Sequence, residues 1–308
     1  MKSHPHLIGH LAAFATYAIF GFNIIFCKGI AAANCMSPTA LITFRTLGAA
    51  ALFWLISIFA PREKVNPKDL GMIVLAALMG ITIPQYTFLT AVTCTTTIDT
   101  SILSSLTPIM TMFFAAIFLK EPITWKKAGG VAASFAGVIL LIFNSAHTPG
   151  AVDHTQPLGV IMLLLNTLCF AFYLGKFRPL IARYSPLTFM KWTFLVAFVV
   201  SIPFSFSEIL HDIDYASIPR DVLLKILYLI LFATFIAYFL LPVAQKRIRP
   251  TLISLYSYLQ PIIATIVSVI IGTDILTWQK LIAIALVFSG VAIVNNSRAA
   301  ATPQQPKK

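Results

Sequence analysis

Ten apolar stretches, each near the length of a membrane-crossing helix and almost free of charge, restrict this chain more than any other feature. A helix needs about 20 apolar residues to cross ~30 Å of hydrocarbon. The stretches run Leu7–Ile30, Pro38–Phe59, Leu70–Ala91, Ile98–Leu119, Ala128–Phe143, Pro157–Gly175, Leu187–Phe206, Val222–Ala244, Thr251–Ile271 and Thr277–Val294, the shortest qualifying only marginally. Without water at the backbone, such runs fold as helices. The connections are short and carry Pro61, Pro67, Pro122, Pro149–Gly150 and Pro250, which leaves no room for a soluble domain. Composition agrees, with 58% hydrophobic and 10% charged residues, against roughly 25% charged in a soluble domain. The expected fold is an all-α polytopic membrane protein with ten transmembrane helices. The first run starts like a secretory signal but continues to Ile30, past a normal signal core, and reads as an uncleaved first helix.

The basic residues orient the chain. With the amino terminus inside, the inner segments hold 16 of the 22 Lys and Arg residues, and the outer ones only Lys28, Arg220, Lys225 and Lys280. The outer connection after the seventh span is acidic, with Glu208, Asp212 and Asp214. The positive-inside rule then places both termini inside, which an even span count permits. The net charge of +12 is thus a matter of topology and not of nucleic acid. Residues 297–308 read as a disordered cytoplasmic tail, and the short loops suit a bacterial inner (cytoplasmic) membrane.

The chain is duplicated. Shifted by 153 residues, Ser101, Ser104, Leu106, Pro108 and Ile109 match Ser254, Ser257, Leu259, Pro261 and Ile262. Thr124, Trp125 and Lys127 match Thr277, Trp278 and Lys280, and Phe135, Gly137 and Val138 match Phe288, Gly290 and Val291. With Ile117/Ile270 and Ala132/Ala285, 13 of the 40 positions from 101 to 140 are identical. At a slightly shorter offset Gly9, Phe20 and Pro38 meet Gly159, Phe170 and Pro186. Two halves, 7–144 and 157–296, each of five spans, enter the membrane in opposite senses. That is an inverted-topology repeat, from which many alternating-access transporters are built.

These features resemble the drug/metabolite transporter superfamily, specifically its EamA-type ten-helix exporters. The residues that carry the likeness are Asn23, Pro38 with Arg45 seven residues on, Leu106–Thr107–Pro108, and Glu121…Thr124…Gly137–Val138. The second half echoes them through Leu259–Gln260–Pro261, Asp274 and Gly290–Val291, while Lys191 and Trp192 stand where a matching arginine is expected. The resemblance implies a permease, with amino acids the foremost substrate class. The superfamily also includes nucleotide-sugar and phosphorylated-metabolite carriers.

Polar groups in hydrocarbon are costly and turn toward the bundle interior or a wet cavity. Thr16, Phe20 and Asn23 share one helical face, and Asn166, Phe170 and Tyr173 share the repeat-related one. They line a cavity on one reading and tie helices together on the other. In the fourth and ninth spans, Ser101, Ser104, Ser105 and Pro108 recur as Ser254, Ser257, Tyr258 and Pro261. The serines suit close packing, Tyr258 and Gln260 reach far enough to hold a ligand, and Pro108 and Pro261 mark kinks where gates could bend. Gln85 and Tyr86 follow Pro84, and Gln85 corresponds to Tyr238. Arg45 can snorkel outward, cap carbonyls or hold an anionic substrate, with a structural role favoured; Lys191 is read as snorkelling. Trp125, Lys127, Trp278 and Lys280 read as interface anchors, and Glu121 and Asp274 as caps beside Thr124 and Thr277.

Every acidic residue falls in a loop or at a span end, Asp99 being the deepest. With no buried carboxylate to relay protons, a neutral or zwitterionic substrate moved by facilitated diffusion or exchange is expected. HExxH, GxSxG and paired aspartates are absent, so an intramembrane enzyme has no support. The scattered cysteines (Cys27, Cys35, Cys94 and Cys169) give no metal or redox motif; no cofactor is expected. The reading is a transporter of small polar metabolites, embedded in the lipid bilayer as a monomer or weak homodimer. A phosphorylated-metabolite carrier and a non-transporting scaffold are the alternatives.

Overall fold

The computed structural model describes residues 5–95, 100, 103–143, 156–270 and 277–297. The tail beyond Ser297, with Asp99, Ser101 and Asp274, lies outside them. The described residues are helical and contain no strand. They form α1 (Pro5–Ala33), α2 (Pro38–Phe59), α3 (Pro67–Val92), α4 (Thr107–Leu119), α5 (Trp125–Phe143) and α6 (Pro157–Lys176). After a short helix, Arg178–Arg183, come α7 (Pro186–Asp212), α8 (Arg220–Gln245), α9 (250–270) and α10 (Trp278–Asn295). Among the described residues seven helices, α1, α2, α3, α6, α7, α8 and α10, are long and apolar enough to cross a membrane, and α4 is a shorter apolar helix.

Proline at the first turn starts α2, α3, α6, α7 and α9, where its missing N–H costs nothing. Ser37, Asn66 and Ser185 add side-chain N-caps to α2, α3 and α7. Ile58, Phe59, Phe204 and Ile270 face outward, as lipid-facing side chains do. Trp125 and Trp278 are also exposed, in keeping with interface anchors. Their neighbours Lys127 and Lys280 are not anchors, because both are fully buried. Lys127 Nζ pairs with Glu121 Oε2 at 2.6 Å, and Thr124 Oγ1 caps α5 by accepting from the Lys127 N–H at 3.2 Å.

The helices pack in pairs that correspond under the sequence offset. α1 lies against α8 and α9, and α6 against α3 and α4; α2 pairs with α7, and α5 with α10 in the most extensive contact. Where α5 and α10 cross, a Cβ on Gly130 would lie 2.8 Å from the Gly290 carbonyl oxygen, and one on Gly137 2.7 Å from that of Ala283. Each of these contacts is the image of the other under the 153-residue shift. Small residues let the two backbones touch, the usual basis of close helix association in lipid. The ends of α2 and α7 are tied reciprocally. Ser37 N–H donates to Glu208 Oε1 at 2.7 Å, and Ser185 N–H donates to Glu63 Oε2 at 2.9 Å, so each helix's start meets a carboxylate at or just past its partner's end.

One face of the bundle carries the start of α1 and the α2–α3, α6–α7 and α8–α9 connections. There Arg183 pairs with Asp69 at 3.0 Å, Tyr184 O–H donates to Asp69 Oδ2 at 2.6 Å, and Lys246 donates to the Tyr184 carbonyl. This is the basic face of the bundle.

Candidate functional site

Two breaks in helix geometry open the centre of the bundle. α3 carries a wide turn at Leu78–Thr82 and α8 one at Leu229–Ile236, each just before the segment that holds Gln85 or Tyr238. Such π-type turns concentrate at functional sites because they re-aim the residues that follow. Thr82 and Thr234 donate back five residues, to the carbonyls of Ala77 and Leu229. α9 narrows to a tighter turn at Tyr256–Tyr258, just before Pro261, and the chain turns at Ser105–Leu106 before Pro108. Proline cannot bond the carbonyl four residues back; at Pro108 that carbonyl, Ser104 O, accepts instead from Thr107 Oγ1 at 2.7 Å.

The cavity these breaks frame has a volume of about 170 Å³. α1 supplies Tyr17, Phe20, Asn23 and Lys28, and α2 supplies Arg45. From α3 and α6 come Gln85, Asn166 and Phe170, and from α8 and α9 Tyr238, Ser257, Tyr258, Gln260 and Pro261. Thr100, Ser104, Ser105 and Thr107 complete the polar wall, and no described carboxylate contributes. The Tyr17 hydroxyl, both amide atoms of Gln85 and the Ser257 hydroxyl are buried with no hydrogen-bond partner among the described residues. Buried polar atoms are nearly always paired, so several orphans around one cavity are exceptional.

Arg45 does not snorkel. Its side chain is 3% exposed and turned into the cavity wall. Nε–H donates to Thr234 Oγ1 at 2.9 Å and an Nη1–H to Cys27 Sγ at 3.9 Å. No described carboxylate pairs with it. Lys191 lies outside the cavity, with its Nζ 5.0 Å from the Trp54 ring centroid.

Thr16 is fully buried and serves as a tie, donating to Ala12 O at 2.8 Å and to Ala237 O of α8 at 3.3 Å. Asn166 makes the corresponding bond on the other side, Nδ2 to Pro84 O of α3 at 2.7 Å, while also lining the cavity. Tyr86 points away, 41% exposed. Tyr173 is buried nearer the basic face, where its ring fills the space over Gly80 and its hydroxyl donates to Gln245 Oε1 at 3.4 Å. Pro108 is buried at the start of α4 and is not part of the lining. Toward the basic side, the Tyr258 hydroxyl donates to Ser105 O at 3.1 Å, and His10 and Tyr256 share a 2.9 Å bond. All four cysteines are free thiols.

A family model of EamA-like transporters matches residues 7–143 and 157–296. The chain belongs to the EamA-like transporter family. It is 25% identical over 261 residues to the uncharacterized transporter YyaM of Bacillus subtilis (strain 168), covering 83% of each chain. A protein of Streptantibioticus cattleyicolor named "Probable terminal-alkyne amino-acid exporter" is 24% identical, with 78% of this chain and 80% of that one covered. A solved crystal structure shares the fold at a TM-score of 0.73 and 17% identity, covering 95% of this chain and 96% of the other.

Within this EamA-like fold, Tyr17 and Lys28 join the cavity although the sequence pattern did not single them out. Tyr17 stands beside Thr16 on the helix, off the polar stripe, and reaches the cavity through the length of its phenol. Lys28 reads as an outer-end charge until the bundle shows what lies beside it.

Proposed function

We propose that this transporter exports or equilibrates small zwitterionic metabolites, amino acids foremost, by alternating access around the central cavity. The carrying observation is the buried Arg45 guanidinium, without a described carboxylate, on the same wall as the orphaned Tyr17, Gln85 and Ser257 groups. A buried cation lacking a counter-charge is costly, and a solute carboxylate would supply one. The orphan amide and hydroxyls would bond the solute's polar atoms, and the faces of Phe20, Phe170 and Tyr238 suit an ammonium group or an apolar side chain. Asn23, Gln85, Ser104, Asn166, Tyr238, Tyr258 and Gln260 are the contacts assigned to the solute, with Arg45 and Lys28 at its anionic end. A volume of about 170 Å³ is below the roughly 300–1,000 Å³ of drug-sized pockets, which favours a small solute.

In this reading the chain has ten spans in two inverted halves, 7–144 and 157–296, with both termini on the basic, cytoplasmic side of the cell membrane. The reciprocal packing of α1 on α8 and α6 on α3 supports it. So does the contrast between Asn23 and its repeat partner Tyr173: one lines the cavity while the other plugs the equivalent space toward the basic face. Two inverted halves in unlike conformations give a site open to one side at a time. Pro108 and Pro261, beside the helix breaks, are assigned as the bending points.

The test is efflux from proteoliposomes preloaded with a mixed metabolite pool, read by mass spectrometry against empty vesicles and a folded Asn23→Ala/Gln85→Ala variant. Selective loss of amino acids, abolished in the variant, is expected. Selective loss of phosphorylated compounds would replace the substrate class, with Arg45 and Lys28 as phosphate contacts. Absence of selective efflux from folded protein would overturn the reading.

A further inference from the structure

A second cavity, of about 440 Å³, lies at the basic face and takes no part in the central site. Its wall holds three guanidinium groups, Arg178 from the start of the short helix after α6 and Arg247 and Arg249 from the α8–α9 connection, together with His6 and His10 of α1. The arginines are fixed by helix-end carbonyls. Arg178 Nε–H donates to Gln245 O at 3.0 Å, and an Arg247 Nη1–H to Val243 O at 2.9 Å. Arg249 Nη2 donates to Val294 O at 3.1 Å and Asn295 O at 3.2 Å. Capping of this kind explains why arginines stand here but not why three of them turn to one cavity. A guanidinium has five N–H donors, and the bonds of Arg178 and Arg247 use one each.

The described charges around this cavity do not balance. The described carboxylate on this cavity is Glu121, and its Oε2 already pairs with Lys127 at 2.6 Å. Leaving Arg249 aside, three described cations, Lys127, Arg178 and Arg247, stand around the cavity against one described anion. Glu121 is 4% exposed, and its second oxygen, Oε1, has no partner among the described residues. The donor set therefore asks for an oxyanion that carries a hydroxyl or ammonium donor of its own. Three guanidiniums from two segments can surround a tetrahedral anion, and their fork geometry matches phosphate oxygens. Basic pockets between membrane helices at the cytoplasmic surface are suited to phospholipid headgroups.

We propose that this cavity is a binding site for a phosphate-type oxyanion bearing an adjacent hydroxyl or ammonium group, held by Arg178, Arg247 and Arg249 with the donor directed to Glu121. The phosphodiester of a membrane lipid headgroup and a soluble phosphate ester share this chemistry. The site does not depend on which solute the central cavity carries.

The experiment compares thermal unfolding of the full chain in detergent with added phosphatidylglycerol, phosphatidylethanolamine, phosphatidylcholine or glycerol 1-phosphate, against chloride at equal ionic strength. Native mass spectrometry counts retained lipid. The variants are Arg178→Gln/Arg247→Gln and, as a control, the exposed Lys64→Gln. Saturable stabilisation of the wild type is expected, with at least tenfold weaker binding in the double variant and none of that loss in the control. Stabilisation by phosphatidylglycerol or phosphatidylethanolamine and not by glycerol 1-phosphate assigns a lipid site, whereas stabilisation by both assigns a site open to soluble esters. A wild type that responds no more to phosphatidylglycerol, phosphatidylethanolamine or glycerol 1-phosphate than to donor-free phosphatidylcholine and chloride overturns the proposal, even if the double variant fails to fold. Equal binding by wild type and a folded double variant overturns it too.

Discussion

Replacing Gly290 by alanine should separate two helices that nothing else can separate so cleanly. The new Cβ would lie 2.2 Å from Ser134 Oγ, 2.4 Å from the Gly130 carbonyl oxygen and 2.7 Å from the Ser134 nitrogen. The serine hydroxyl can rotate away, but the backbone atoms of α5 cannot. Restoring ordinary contact of roughly 3.5 Å means parting the helices locally by about 1 Å. Overpacking of this kind costs about 1–3 kcal/mol. The parting also stretches the 3.0 Å bond from Ser134 Oγ–H to Val287 O, worth about 1 kcal/mol net. Alanine's better helix propensity returns about 0.5–1 kcal/mol, leaving a loss of about 1–3 kcal/mol. Gly129 is the internal control, since no atom of the described residues that could clash lies within 4 Å of its would-be Cβ; Gly129→Ala should be neutral or mildly stabilising. Gly137→Ala, whose Cβ would meet the Ala283 carbonyl oxygen at 2.7 Å, should behave like Gly290→Ala. The assay is thermal or denaturant unfolding in detergent, with helicity monitored by circular dichroism. If Gly290→Ala and Gly137→Ala are as stable as Gly129→Ala, the α5–α10 crossing is not as close as described and the argument fails.

Three further outcomes follow from the same geometry. Arg45→Gln removes a buried charge without a described counter-ion, so the solute-free protein should melt no earlier than wild type while amino-acid binding weakens tenfold or more; earlier melting with unchanged affinity would make Arg45 a tie to Thr234 and nothing else. Glu121→Gln strands Lys127 in a buried site and should cost about 3–5 kcal/mol, whereas Glu121→Leu/Lys127→Met should recover most of that loss in a double-mutant cycle. Partial burial alone would raise the Glu63 pKa, but hydrogen bonds from Thr188 and Ser185 and the charge of Lys246 outweigh it and hold the carboxyl below its ordinary value. A depressed folded pKa contributes stability above the unfolded value of about 4.3 and loses it as pH falls through the folded value. The melting-temperature gap between wild type and Glu63→Gln should therefore be constant from pH 5 to 7 and close on acidification below about pH 4; a gap independent of pH would refute this role.

The sequence alone determined what depends on local pattern. Apolar runs without charge forced helices, because a backbone in hydrocarbon must satisfy itself, and prolines after Ser37, Asn66 and Ser185 set where helices start. Shared residues 153 apart, Ser104/Ser257 and Gly137/Gly290 among them, announced a duplicated chain, and together with the Glu121…Thr124 stretch they sufficed to indicate the family. Much of the cavity was legible too, since Asn23, Gln85, Asn166, Tyr238, Tyr258 and Gln260 are polar groups in segments otherwise apolar. Tertiary structure decided which of two equivalent polar faces meets empty space. Thr16 and Asn166 look alike along the helix, yet both bond a neighbouring backbone and only Asn166 also reaches the cavity. Asn23 and Tyr173 occupy matching positions, but the halves are packed unequally, so one faces the cavity and the other fills its counterpart over Gly80. Lys127 was expected at the interface and lies in the core instead, because Glu121, six residues earlier, folds back to neutralise it. The arginines of the second cavity come from segments about 70 residues apart, and no local pattern relates them. Burial, counter-charge and convergence depend on distances between helices, and those are fixed only when side chains from remote parts of the chain compete for the same space.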